Sequence, residues 1–208
     1  MGKRIRKLAA TRATINRDRM LLGPRDPLPR RPSRVLVAGT SGSGKTTLAG
    51  RLGQILEVPH VEIDALFHGP DWTPRDSFAD DVAAFSAGPR WVTEWQYSAV
   101  RAVLSERADL LVWLDLPRGT VMRQVSARTI RRRLHREVLW NGNVERPLWT
   151  IFTDPEHIVR WAWSTHSKTA RRIAVLRRRR PQLPIVRLRS QHEAQLWIDG
   201  VVRDAVGP

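Results

Sequence analysis

Short apolar runs alternate with stretches of helical periodicity along most of this chain. Val35-Leu36-Val37-Ala38 is a continuous apolar run of the kind that forms a buried strand. A glycine-rich turn follows, and then Leu48, Leu52, Ile55 and Leu56 recur on one face of a helix over about 45–56. Pro59 ends that helix, and His60 to Ile63 predicts a second strand. Asp76 to Phe85 predicts a helix stopped by Gly88-Pro89. Trp91-Val92-Thr93 predicts a third strand, Ala99 to Ala108 a short helix, and Leu110 to Leu114 a fourth strand closed by Asp115-Leu116-Pro117. A helix is expected over about 119–136 and a turn at Asn141-Gly142-Asn143. Asp154-Pro155 reads as an N-cap with proline at the first helical position, opening a long helix towards Arg179. Pro184 to Leu188 is the fifth strand, and Ala194 to Ile198 lie on a last helix. Such alternation implies an α/β fold, a five-stranded parallel sheet flanked by helices, because parallel strands need crossovers.

Composition narrows the picture. With 208 residues, 41% of them hydrophobic, the chain has room for one domain with a real core. It has no cysteine, which excludes a disulfide scaffold, a Cys-ligated zinc site, an iron–sulfur cluster and a cysteine nucleophile. No apolar run approaches the length of a membrane span and no apolar signal segment follows the charged N-terminus, so a cytoplasmic protein without a membrane partner is expected. The net charge of +16 points to an anionic partner. Much of it lies in residues 1–33, a basic arm ending in the proline-rich stretch Pro24, Pro27, Pro29 and Pro32. No aromatic residue interleaves these charges to stack on bases, so the arm is read as a disordered, solvated tail. A nucleic-acid-binding arm is the competing reading.

The strongest local signal is Gly39-Thr40-Ser41-Gly42-Ser43-Gly44-Lys45-Thr46, which fits the P-loop (Walker A) pattern without a mismatch, between a predicted strand and a predicted helix. Its glycines let backbone amides converge on an anion without Cβ clashes, and the helix N-terminus adds its dipole. Lys45 is placed to reach the β- and γ-phosphates of ATP, the Thr46 hydroxyl to ligand Mg²⁺, and Thr47 to close the phosphate-binding run. The chain lacks an Asn-Lys-x-Asp guanine-recognition motif.

Three carboxylates fall at predicted strand C-termini, where ligands bind in this architecture: Asp64, Glu94 and Asp115. Each is a candidate for Mg²⁺–water contact or for orienting an acceptor hydroxyl, with Asp115 also readable as a turn residue. Arg128, Arg131 and Arg132 share one helix face, which suits a polyphosphate. His68 and Trp72 follow Asp64 and are candidates to line an acceptor pocket. Of the nine tryptophans, Trp91 and Trp113 read as core, and Trp161 and Trp163 cannot share a helix face.

Taken together, the P-loop with Val61 to Trp72, Trp91-Val92-Thr93-Glu94 with Tyr97, Val112 to Arg118, Arg128 to Arg132, Glu137 to Asn143, Trp161-Ala162-Trp163 and Val186 to Ser190 resembles the adenylate-kinase-related P-loop kinases, in particular the DNA topology modulation or flagellar-regulator-like group. The resemblance covers roughly residues 34–200 and implies a P-loop NTPase fold, ATP with Mg²⁺, and a mobile arginine-bearing lid. The family motif Asp-Gly-Asn-Tyr is replaced here by Glu94-Trp95-Gln96-Tyr97, and Trp95 in place of glycine predicts a narrowed acceptor pocket.

The expected organisation is therefore an arm over 1–33 and a P-loop kinase-like domain over 34–205, with a lid at about 128–150. The expected function is transfer of the ATP γ-phosphoryl group to a small molecule or nucleotide. Lys45, Asp64, Arg128 and Arg132 carry the chemistry, Arg131 helps hold the nucleotide, and Thr46 with Glu94 organises Mg²⁺. The competing functions are an ATP-binding protein associated with nucleic acid and a nucleotide sensor without turnover.

Overall fold

The computed structural model describes residues 20–135, 137–143 and 158–207. Among them, five strands form one parallel sheet: β1 (Leu21–Leu22), β2 (Arg34–Gly39), β3 (Trp91–Glu94), β4 (Leu110–Leu114) and β5 (Ile185–Leu188), in the order β1-β5-β4-β2-β3. The central strands are apolar on both faces because both are covered. Val35 and Val37 of β2, with Val112 and Leu114 of β4, pack against Leu48, Leu52 and Leu56 of α1 (Lys45–Leu56) and Ala194 and Trp197 of α7 (Gln191–Trp197). Leu36, Ala38, Leu111 and Trp113 turn the other way. They meet Phe78 and Val82 of α3 (Phe78–Ser86), Leu104 of α4 (Arg101–Arg107), and Ile173 and Leu176 of α6 (Ile158–Arg179). Helix α5 (Arg118–Leu134) packs on α6 and reaches over the P-loop, and a short α8 (Arg203–Val206) closes the chain. No helix among the described residues is long and apolar enough to cross a membrane.

The five-stranded parallel sheet is as expected, but two of its expected parts change places. His60 makes only a single bridge to Val92, and the chain then coils into α2 (Ile63–Phe67). The ladder stops there because the Ile63 amide donates to the Glu94 carboxylate (3.1 Å) instead of to a strand carbonyl. The fifth strand comes instead from Leu21–Leu22, inside the stretch read as a disordered arm. It pairs with Ile185 and Val186, and Leu22 is buried. Two residues are too few to display a periodicity, so this strand is invisible to pattern. The proline-rich stretch after it is fastened too. Leu28 packs on the core, Arg31 donates to the Leu56 carbonyl at the end of α1 (3.0 Å), and the Ser33 and Arg34 amides donate to the Asp109 carboxylate at 2.9–3.2 Å. The ordered domain thus begins before residue 34. Residues 1–19, Arg136, the helix start at Asp154-Pro155 and the expected lid beyond Asn143 lie outside the described residues.

Candidate active site

The site forms where β2 and β3 end. Gly39 closes β2, and the chain turns through Gly42 (φ 84°) and Gly44 (φ 92°) into α1. Left-handed φ at both positions explains the glycines. Gly42 also lies so close to α5 that a Cβ there would sit 2.6 Å from that of Val125. The first-turn amides of α1, at Lys45, Thr46 and Thr47, have no intrahelical acceptor. The Ser43 hydroxyl is buried with no hydrogen-bond partner among the described residues, while Gln191 of α7 donates to the Ser43 carbonyl (3.2 Å). Thr40 is buried, and Gly39 and Ser41 are half-buried.

Lys45 is buried and its Nζ donates to the Thr40 carbonyl (3.3 Å). Burial depresses its pKa, the nearby Asp64 and Glu94 carboxylates oppose that, Arg128 adds to it, and the net direction is down. The structure therefore brings four expected site residues into one electrostatic group: Lys45, Asp64, Glu94 and Arg128. Arg132 lies one turn beyond Arg128 and pairs with Glu137 (3.5 Å). Arg131 is exposed.

Asp64 lies in the first turn of α2, and its Oδ1 accepts hydrogen bonds from the Gln96 amide and from the Tyr97 hydroxyl (2.5 Å). Burial pushes its pKa above the ordinary aspartate value, against the lowering pull of the Tyr97 hydrogen bond and Lys45. The Tyr97 hydroxyl also meets His68 Nε2 at 3.2 Å. Burial raises the Tyr97 pKa further and depresses that of His68, so both are neutral near pH 7. Glu94 is 1% exposed, with Oε1 on His60 Nε2 and Oε2 on the Ile63 amide, both at 3.1 Å. Burial alone would raise its pKa, but these hydrogen bonds win and the net direction is down.

Two expectations change. Trp95 does not narrow the acceptor side: its indole is 8% exposed in the core and donates to the Arg101 carbonyl (3.2 Å). Asp115, just beyond the end of β4, is held in an ion pair by Arg187 (Nε to Oδ2, 2.7 Å), whose guanidinium stacks on Trp113. Trp161 and Trp163 are both about half exposed. Gln96 and His60 were not expected at the site. The chain's one tyrosine lay in the motif around Glu94, but nothing in the sequence marked it as a partner of Asp64. Two surface cavities, one bounded by Met20, Pro181 and Leu183 and the other by Gln54, Ile55 and Val206, involve none of these residues.

No protein-family model and no curated protein matches this chain. Solved structures that resemble it include a gluconokinase from Sinorhizobium meliloti 1021, at TM-score 0.48 and 19% identity over 85% of this chain and 95% of that one. A sugar kinase from Janibacter sp. HTCC2649 gives TM-score 0.47 and 21% identity over 85% and 97%. A shikimate kinase from Acinetobacter baumannii, in complex with shikimate, gives 0.46 and 15% over 84% and 88%. Likenesses this loose assign nothing to this chain, whose chemistry rests on its own side chains.

Proposed function

We propose that this chain is an ATP-dependent phosphotransferase that passes the γ-phosphoryl group to a hydroxyl of a small acceptor. The observation that carries the reading is the buried Lys45, held at the phosphate-binding turn within electrostatic reach of Asp64, Glu94 and Arg128. The left-handed Gly42 and Gly44, the free first-turn amides and the orphaned Ser43 hydroxyl fit a triphosphate. Thr46 would hold Mg²⁺, which when bound would neutralise phosphate charge. Glu94 has both oxygens engaged, so it is left out of the metal set and acts by fixing His60 and the start of α2.

In this reading Lys45 and Arg128 hold the phosphates and stabilise the charge that develops on the transferring group. The described bonds to Asp64 both fall on Oδ1, which leaves Oδ2 for the acceptor hydroxyl. Asp64 accepts that proton as the acceptor oxygen–phosphorus bond forms and the β,γ-bridging bond breaks, releasing ADP. Arg132 follows Arg128 along the helix, and the exposed Arg131 is free to contribute on closure. The test is transfer of label from γ-labelled ATP to a panel of sugars, nucleosides, nucleotides and nucleic-acid ends, with Lys45→Ala as control. Lys45-dependent label on one acceptor is the expected result. Confirmed ATP binding with no transfer would overturn the reading.

One observation favours a second reading, association with nucleic acid. Helices α5 and α6 carry no Asp or Glu, and α6 exposes Lys168, Arg171, Arg172, Arg178 and Arg179 beside Trp161 and Trp163. Salt-dependent binding of a labelled oligonucleotide, lost on reversing the charges of Arg171 and Arg172, is its test.

A further inference from the structure

One peptide of the phosphate-binding turn is held from outside the motif. On one side of it, the Ser43 amide donates to the Thr40 carbonyl (3.0 Å) and closes the turn. On the other, the Gly44 carbonyl accepts from the Leu48 amide (3.0 Å) and enters the ladder of α1. The peptide between these two bonds carries the Ser43 carbonyl and the Gly44 amide. Its carbonyl is met by Gln191 Nε2 of α7, 148 residues further along the chain (3.2 Å). A Cβ on Gly44 would lie 3.5 Å from the same nitrogen, so the Gln191 amide covers this peptide closely. The Ser43 side chain is fully buried against Gly39, where a Cβ would collide with its hydroxyl.

Gln191 is itself held in place. It is the first residue of α7, and the start of that helix is closed by a reciprocal cap. The Glu193 amide donates to Ser190 Oγ (3.0 Å), and the Arg189 amide donates to Glu193 Oε2 (2.7 Å). One turn further, Gln195 Oε1 accepts from Arg51 of α1 (2.9 Å). Residues four apart share a helix face, so Gln191 and Gln195 lay one face of α7 along α1 and the turn that leads into it.

The consequence follows from peptide geometry. A trans peptide points its C=O and its N–H in opposite directions. A donor on the Ser43 carbonyl from α7 therefore turns the Gly44 N–H away from α7. An anion is bound at such a turn only when successive N–H groups converge on it. Gly44 has no Cβ and sits at φ 92°, so turning this peptide over meets little steric resistance. A turned peptide would present a carbonyl oxygen where a polyphosphate needs a donor.

We propose that Gln191 is a positioning residue of the phosphate-binding turn: by holding the Ser43 carbonyl it keeps the Gly44 amide aimed at the phosphate chain of the nucleotide. This deepens the phosphotransferase reading and rests on its nucleotide site. The test compares the native full chain with Gln191→Met, which keeps the length of the side chain and removes its donor. Calorimetry with Mg-ADP and with inorganic tripolyphosphate is the first readout. NMR of the Gly44 amide proton in isotope-labelled protein is the second.

Gln191→Met is expected to weaken both ligands by about three- to tenfold with the melting temperature unchanged. In the native chain, the Gly44 amide proton is expected to move downfield on saturation with ADP, as it enters a charge-assisted hydrogen bond, and to move less in the variant. Gln191→Lys restores a donor of similar reach and is expected to return ADP affinity to the native value or above. Arg51→Ala cuts the neighbouring tie between α1 and α7, leaves the Ser43 carbonyl bonded, and is expected to leave ADP affinity unchanged. Unchanged ADP affinity in Gln191→Met, an equal loss in Arg51→Ala, no recovery in Gln191→Lys, or a Gly44 shift independent of Gln191 would overturn the proposal. Any of these with label transfer intact leaves the phosphotransferase reading standing. Gln191-dependent ADP binding with no label on any acceptor does the reverse. A native chain that binds neither ADP nor tripolyphosphate removes both.

Discussion

The two halves of the site are built by opposite means. The proposed phosphate side is one continuous run, Gly39 to Thr46, in which glycine is demanded by left-handed φ and by the close approach of α5. Its one charged side chain is Lys45, buried beside Thr40. The acceptor side is assembled from segments about 30 and 70 residues apart: α2 with the His68–Trp72 loop, Gln96-Tyr97 after β3, and the turn at residues 140–143. Its side chains are neutral rings and amides around one carboxylate. In the proposed reading the contrast separates two tasks: gripping a polyanion by charge, and reading a small molecule by shape and hydrogen bonds.

Substitutions on each side sharpen that division. Lys45→Ala should produce the largest loss, about 10²–10³-fold in transfer rate, together with weakened ATP binding in calorimetry and an unchanged melting temperature. If ATP affinity survived intact, the phosphate side would not be where it is placed here. Asp64→Asn should cost on the order of 10²-fold in kcat while leaving ATP affinity alone, the converse signature.

The acid limb of the rate profile should report the same carboxyl. Burial holds Asp64 above its ordinary value of 3.8, so the ionised base is lost at a higher pH than for a solvated aspartate. The Tyr97 hydrogen bond favours the ionised form, so Tyr97→Phe should move that limb to still higher pH. A limb that moved down would break the assignment.

Glu94→Gln should lower stability by about 1.5–3 kcal/mol in denaturant melts, because a buried charged acceptor of two hydrogen bonds becomes a neutral one. The sign with pH follows from its depressed pKa. The stabilisation is fully present above the ordinary value of 4.5 and disappears as pH falls through the lower folded value, and the variant should lack that part of the acid sensitivity. Asp115→Ala should give the smallest effect, a loss of up to about 1 kcal/mol from a partly exposed ion pair, with transfer rates unchanged.

How far the sequence reached follows the same division. The P-loop turn was legible because its geometry is local: eight consecutive residues state the turn that leads from β2 into α1. The central strands β2 and β4 were legible because burial on two faces leaves an unbroken apolar run. Glu94 was legible as an acid at the end of a strand, whereas Asp64, expected at one, lies in the first turn of α2, and the role of neither was legible. Whether a carboxylate binds metal or caps a turn depends on partners such as His60 and the Ile63 amide, which no spacing announces. Trp95 misled for a related reason, since a bulky residue beside a site reads as an obstruction until the backbone shows it turned into the core. Asn143 read only as part of a turn, because the atoms it bonds in the Gly69 and Trp72 backbone lie more than 70 residues upstream.

The short strand β1 has a consequence for self-association. Leu21 and Leu22 cover the outer edge of β5, occupying donors and acceptors beside Ile185 and Val186 that would otherwise face solvent. An uncovered edge of apolar residues is a template for a strand from another molecule. A chain cut back to Arg34 would keep every residue of the phosphate-binding turn and still expose that edge, along with the hollow left by Leu22. Two leucines at the foot of a basic arm thus shorten that edge of the sheet to a two-residue strand.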